Sequence, residues 1–398
     1  MTLNRFFLPL ALTVVTVLVG CGSSKPKPAS LVDFKPSLSA KVAWTAKVGD
    51  TPEFKVGVGQ FSPGVSGDSV IAASEDGEVS RVNLQSGKVD WRVDLDTRII
   101  AGVAVGNGSS SGFSAVVTDR NQIVVLDAAG KVSREINLGG VVLEIPVIAG
   151  DIVVARLTDN RVAGWDISSG ERRWVFQRTL PPLVLHGQSG LRGAAYAPEE
   201  SSSSGLGAND VVVNLPGGRL LWVNALTGAV RWEAQVATPT GSNEVERLVD
   251  LLGAPVVQGD HVCVSAYQTA VSCFGVEDGK RQWIKNLSAG TTVGADARFV
   301  FVADQQSRLH ALARATGETS WTSDALRLRG LNQPISVGRA LWVADQFGFL
   351  HALDRESGQT LARVKLDGGA VSGAMRATSA GLLVQTQGGR LMLIRTEG

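Results

Sequence analysis

The sequence predicts an all-β fold: an eight-bladed β-propeller of four-stranded antiparallel blades, closed by its N-terminal strand. Three observations predict it. A strand-turn-strand unit recurs eight times, at the roughly 40–50-residue spacing of propeller blades. Two further strands precede each copy, the first short and rich in glycine and alanine. The last copy stops without an outermost strand, while the repeat region opens with a strand that has no hairpin before it.

The clearest unit is DGEVSRVNLQSGKVDW, residues 76–91. It reads as a turn at Asp76-Gly77, an alternating strand, a second turn at Ser86-Gly87-Lys88 and a strand opening toward Trp91. The grammar returns at residues 119–135, 158–174, 216–232, 268–283, 305–321 and 346–362, and in truncated form at 387–395. Ahead of each hairpin, small side chains such as AGVAVGNG (101–108) and GAPVVQGD (253–260) suit strands crowded round an axis. Runs such as VVVN from Val211 and VFVAD from Val300 suit strands buried on both faces.

A tryptophan recurs after the second turn, at Trp91, Trp174, Trp232, Trp283 and Trp321, with Trp44 in the opening strand. A flat ring there either docks between neighbouring blades, burying on the order of 200 Å², or packs within its own sheet. Glu135 and Ala362 are read as its replacements in two blades. VAWTAKVG (42–49) is the strand expected to complete the sheet begun at Ser372, which removes the open edges of the array.

Residues 1–20 carry one early base, Arg5, then an apolar run that ends in small residues. The run is too short for a stable membrane span and reads as an export signal. It closes on Leu18-Val19-Gly20-Cys21, which resembles the bacterial lipobox, so Cys21 is the expected lipidation site; an ordinary signal with an incidental Cys is the alternative. Residues 21–40, rich in Ser, Pro and Lys, read as a flexible tether, and 41–398 as the propeller. The lipobox resemblance also implies a location: in the sorting rule of such lipoproteins an Asp directly after the cysteine retains the protein in the inner membrane, and Gly22 in that place favours the outer membrane, with the body facing the periplasm.

Cys263 and Cys273 are equidistant from Gln268 in a hairpin. That register sets them opposite on one face, as a disulfide or as two buried thiols. Two connectors between blades, 176–190 and 233–252, are longer than those after Trp91, Trp283 and Trp321. Propeller connectors of this kind emerge on one face, so these two lie side by side, while the segment 45–62, also long, is expected across the ring. Leu183, Val184 and Leu185, flanked by Pro181-Pro182, either present apolar groups to a partner or fold back onto the blades.

No catalytic constellation is found, and no metal site. His310 and His351 occupy equivalent repeat positions, while His186 and His261 have no ligand-spaced partner. A net charge of +1, without a Lys/Arg cluster, leaves no nucleic-acid footprint. The repeat is similar to that of pyrroloquinoline-quinone dehydrogenases, which as a family use adjacent cysteines and calcium-binding carboxylates. No cysteines are adjacent here, so no cofactor is expected.

Lipobox, tether and eight tryptophan-bearing repeats together resemble the BamB family, lipoproteins of the outer-membrane β-barrel assembly (BAM) machinery. The resemblance covers the mature chain and is most specific at LVLHGQS (183–189) and NEVERLVD (243–250). It implies a non-enzymatic scaffold whose two long connectors bind the periplasmic POTRA domains of BamA, with Leu183, Leu185, His186, Asp250 and Leu252 at the contact. His186 stands where the family pattern has Arg, and Leu252 where it has an acid, so the contact reads as more apolar than charge-paired. A module that binds unfolded barrel strands directly is the alternative reading, and a quinone enzyme a remoter one.

Overall fold

Short runs of β-branched and small residues, each ended by a turn, fold into thirty-two strands among the described residues. The structure is a computed structural model that describes residues 26–51, 60–178, 190–193, 207–237 and 249–397. Eight four-stranded antiparallel sheets result. Blades 1 to 7 occupy residues 64–94, 99–137, 147–176, 191–235, 251–286, 294–323 and 335–365. Blade 8 joins Arg376–Thr378, Gly381–Gln385 and Arg390–Glu397 to Ser39–Lys47.

The closing strand pairs Ser39 with Glu397 and Lys47 with Arg390, with a bulge near Trp44. Each middle strand is buried on both sides because a neighbouring blade covers each face; Ser114–Thr118 and Phe299–Ala303 are buried throughout. Outermost strands such as Arg172–Phe176 alternate instead between exposed and partly buried positions.

The second hairpin turn is built by one side chain. Asp166 Oδ1 accepts the N–H groups of Ser168 and Ser169, each at 2.9 Å, and the Ser168 hydroxyl at 2.6 Å. These bonds hold its carboxyl far below the usual carboxylate range, the Ser168 hydroxyl contributing most. Asn83, Asn224 and Asp354 make the same turn.

That turn presents a glycine to the preceding blade. The indoles of Trp44, Trp91, Trp174, Trp232, Trp283 and Trp321 lie over Gly87, Gly130, Gly228, Gly279, Gly317 and Gly358, where an added Cβ would come within 2.5–2.8 Å of the ring. These glycines also sit at positive φ, between 64° and 82°, so close approach and backbone conformation both demand them. Each indole N–H donates to a carbonyl of the same neighbouring turn at 2.6–3.0 Å. The tryptophans therefore dock between blades.

Two junctions differ. In blade 2 the residue in the tryptophan's register is Arg134, paired with Val125, and not Glu135. Its aliphatic stem lies over Gly170 and its guanidinium donates to Ser168 O, so an arginine performs both tasks of the indole. At Ala362 no tryptophan or arginine among the described residues stands in the indole's place over blade 8, whose outer hairpin is interrupted by the chain ends. There Leu38, 6% exposed, packs with Leu361 and Ala362.

Leu38 belongs to the stretch read as a flexible tether, and the structure corrects that reading for residues 29–38. Ser37 and Leu38 donate backbone hydrogen bonds to Leu361, and Ser39 is already in the closing strand. The sequence cue for flexibility, Ser, Pro and Lys content, overlooked three apolar side chains, Leu31, Phe34 and Leu38.

Cys263 and Cys273 face each other across their hairpin and form a disulfide. His351 and Asp345 are buried together: the imidazole Nε2–H donates to Asp345 Oδ2 at 2.9 Å, with Arg329 on the same oxygen at 2.7 Å. His351 Nδ1 has no partner among the described residues. Burial pushes the His351 pKa below its ordinary 6.5, against the pull of Asp345. Burial raises that of Asp345, but bonds from His351, Phe349 and Arg329 outweigh it and leave it low. His310 repeats the arrangement with Asp304 in blade 6.

Two predictions follow from these contacts. Trp232→Ala should cost about 3–5 kcal/mol. Gly279→Ala should also destabilise, whereas the double variant should be less destabilised than the sum by about 1 kcal/mol or more in urea unfolding, because the clash disappears with the ring. The second concerns acid. Native His351 takes up its proton at a lower pH than the unfolded chain does, so stability falls as pH drops below about 6.5. His351→Gln, which keeps a donor to Asp345, should flatten that fall in urea midpoints measured between pH 7.5 and 5.

Candidate partner-binding face

Four antiparallel strands per blade bring the chain back to the face it started from, so every connector from an outermost to the next innermost strand lies on one face. The two long connectors leave blades 3 and 4 and are therefore neighbours. Glu233, near the end of blade 4, binds Arg178 at the start of the first connector at 2.9 Å and Arg219 at 2.6 Å. The Arg178 guanidinium also stands 5.5 Å over Phe176.

Beneath the far ends of both connectors runs a buried polar chain. Glu144, just ahead of blade 3, and Arg156 within it, each 4% exposed, form an ion pair. Arg156 also donates to the carbonyl of Asn214 in blade 4. The Asn214 side chain, 1% exposed, donates to Gly253 O in blade 5. Gly190, where the first connector ends, donates its N–H to Glu144 Oε2 at 3.1 Å and accepts from Asn214 N at 2.8 Å. A Cβ at Gly190 would meet the Arg156 guanidinium at 2.9 Å. Three blades and both connector ends thus share one network, whose members satisfy charges that burial would otherwise make costly.

Leu183, Leu185 and His186 lie outside the described residues, as does Cys21. Asp250 and Leu252 are described, and neither side chain faces open solvent. Asp250 is 4% exposed, and its carbonyl accepts the Tyr267 N–H at 2.9 Å. Leu252 is 2% exposed and packs with Ala289 and Val293 between blades 5 and 6. Its place as a contact residue is therefore corrected: the strand begins at Leu251, so the second connector ends sooner than the sequence reading set it, and Leu252 belongs to the core.

Glu144, Arg156 and Asn214 were not singled out from sequence. Their signal was there: a charge ending the apolar run IVVAR, and an acid heading an inner strand. An ionisable group at a doubly buried position needs a partner.

The wheel's axis holds a cavity of about 390 Å³, with Arg192 and Arg376 in its wall. Both guanidiniums donate to backbone carbonyls, Arg192 to Pro255 in the inner strand of blade 5 and Arg376 to Pro63 just ahead of that of blade 1. Among the described residues no group of three or more His, Cys, Asp or Glu could hold a metal ion. His261 pairs with Asp260 at the surface, at 2.6 Å.

Residues 75–323 match the sequence profile of a family described as outer membrane protein assembly factor BamB. The outer membrane protein assembly factor BamB of Bordetella pertussis is 36% identical over 97% of this chain and 96% of its own. That of Burkholderia pseudomallei is 32% identical over 97% of both chains. The crystal structure of BamB from Moraxella catarrhalis superposes with a TM-score of 0.74, covering 90% of this chain and all of that one at 23% identity, and so speaks for the fold alone. The chain belongs to the outer membrane protein assembly factor BamB family.

Proposed function

We propose that this propeller is a lipid-anchored, non-enzymatic scaffold of the BAM complex, held at the outer membrane by Cys21 and facing the periplasm. Its long-connector face binds the POTRA domains of BamA and so assists insertion of barrel proteins. One observation carries the reading: the two long connectors start side by side at Glu233 and end on a single buried network. Loops on a rigid frame offer a partner a surface at low ordering cost. Leu183 and Leu185 supply apolar anchors on the first loop, with His186 beside them. Asp250 secures the end of the second loop.

The relatives' shared name, an outer membrane protein assembly factor, supports the assembly role and membership of the complex. The finer assignment to POTRA domains rests on the connector sequences at 183–189 and 243–250. A scaffold needs no convergent acid, base or nucleophile, and a rigid ring carrying two long connectors meets its requirements.

Changing Leu183 and Leu185 together to Glu should abolish co-purification with BamA from solubilised envelopes while the propeller stays folded by circular dichroism; retained capture would sink the site. Arg156→Met leaves the buried Glu144 charge without its counter-ion, and should cost about 3–5 kcal/mol in urea unfolding. It should also weaken BamA capture, because both connector ends lose their common support. Asp250→Asn should weaken capture less than the leucine pair does.

A further inference from the structure

The chain ahead of the closing strand is strapped across the rim of blade 7. Leu361 O accepts Ser37 and Leu38 N–H at 3.0 and 3.3 Å, and Arg339 donates to Ser37 O at 2.7 Å. Arg363 donates to Val32 O at 3.2 Å and stands 5.1 Å over the Phe34 ring. Ala29 N–H donates to Arg327 O at 2.8 Å, and its carbonyl accepts from Arg329 at 3.0 Å. Leu31 packs against the cluster of Leu326 and Val343, between blades 6 and 7.

These partners fix a direction. Leu361 lies at the start of the outermost strand Thr360–Lys365, at the hairpin end of the blade. Arg327 and Arg329 lie in the connector that enters blade 7. Followed backward from Ser39, the strap therefore climbs the outside of the wheel and leaves it on the connector face, between blades 6 and 7.

We propose that this strap decides which part of the wheel meets the lipid: the blade 6–7 sector of the connector face lies against the phospholipid headgroups in which Cys21 is anchored. The proposal rests on the reading of Cys21 as lipidated. Only eight peptide steps separate Cys21 from Ala29, and they span at most about 29 Å even when fully extended. A domain of this length is about 50 Å across, so the exit point stays near the surface while the rim across the ring need not. Lys25 and Lys27 in the short tether and the exposed Arg327 at the exit match anionic headgroups.

One consequence concerns the partner. The long connectors rise from the junctions between blades 3 and 4 and between 4 and 5, on the same face but in another sector of the ring. Membrane contact through blades 6 and 7 leaves them free, so anchor and partner can be engaged together.

The test uses the full lipidated chain in phosphatidylethanolamine–phosphatidylglycerol vesicles doped with headgroup-quencher lipid. A fluorophore is placed on Arg327→Cys or, across the ring on the same face, on Arg120→Cys in the blade 2 turn. The label at 327 should be quenched several-fold more than that at 120, and Leu31→Glu with Phe34→Ser should erase the difference. Equal quenching with the strap intact overturns the proposal. If the strap variant fails to fold, the contrast in the parent chain decides alone. Failure of the lipidated chain to float with vesicles is a separate result: it overturns the reading of Cys21, and the proposal with it.

Discussion

The structure depends on an indole lying over a glycine across six of its eight blade junctions. The contact needs three things at once: a ring flat enough to enter the gap, a turn residue without a Cβ, and a carbonyl at 2.6–3.0 Å to take the indole N–H. Burying the ring favours closure of the gap, and the hydrogen bond fixes the ring's tilt within it. Because each tryptophan belongs to one blade and each glycine to the next, the contact defines a rotation between neighbours. Repeated round the chain, that rotation closes a wheel. At the blade 2 junction the geometry persists without the indole, since Arg134 supplies an aliphatic cover and a donor in its place; at Ala362 the N-terminal Leu38 packs instead.

A ring built this way has little freedom inside the blades and places its variation in the connectors. The polar chain from Glu144 through Arg156 and Asn214 to Gly253 shows how the two systems are joined. An ion pair this deep is a poor source of net stability, since desolvation offsets most of the attraction. It does fix one arrangement, because any shift of blade 4 against blades 3 or 5 would leave a buried donor or acceptor unpaired. The long connectors thus end on points held in place by this network.

Much of the architecture was legible in the residues, for identifiable reasons. Period, turn glycines and tryptophans are local and repeated, so eight copies correct one another, and the missing outer strand at one end had a single candidate at the other. The disulfide was legible as a register, Cys263 opposite Cys273. What was not legible depends on contacts distant in sequence. The strap's partners lie about 300 residues away, and nothing local to residues 29–38 announces them. Leu252 was misplaced because the boundary between connector and strand is set by packing between blades, which a polar-to-apolar change in sequence marks only loosely. The polar network escaped notice because its members sit in three different repeats, each looking like a variation on an ordinary position.

Closure through the N-terminal strand also shapes how such a chain can fold. Ser39–Lys47 finds its partner only in Arg390–Glu397, so blade 8 cannot be completed until nearly the whole chain is present. Pairing across that separation carries a large loop-closure cost, and until it occurs the inner strands of blade 8 keep an open edge. Blades 1 to 7 can form in order from local hairpins, each resting on its neighbour, and the last step then joins two pre-formed surfaces rather than two loose segments. The strap adds to that step, because Leu38 and Leu31 can dock only on a finished blade 7. Closing strand and strap are continuous in the chain, so sealing the ring and fixing the N-terminal exit at blades 6 and 7 are one event. The wheel acquires its fixed N-terminal exit at the moment it becomes a wheel.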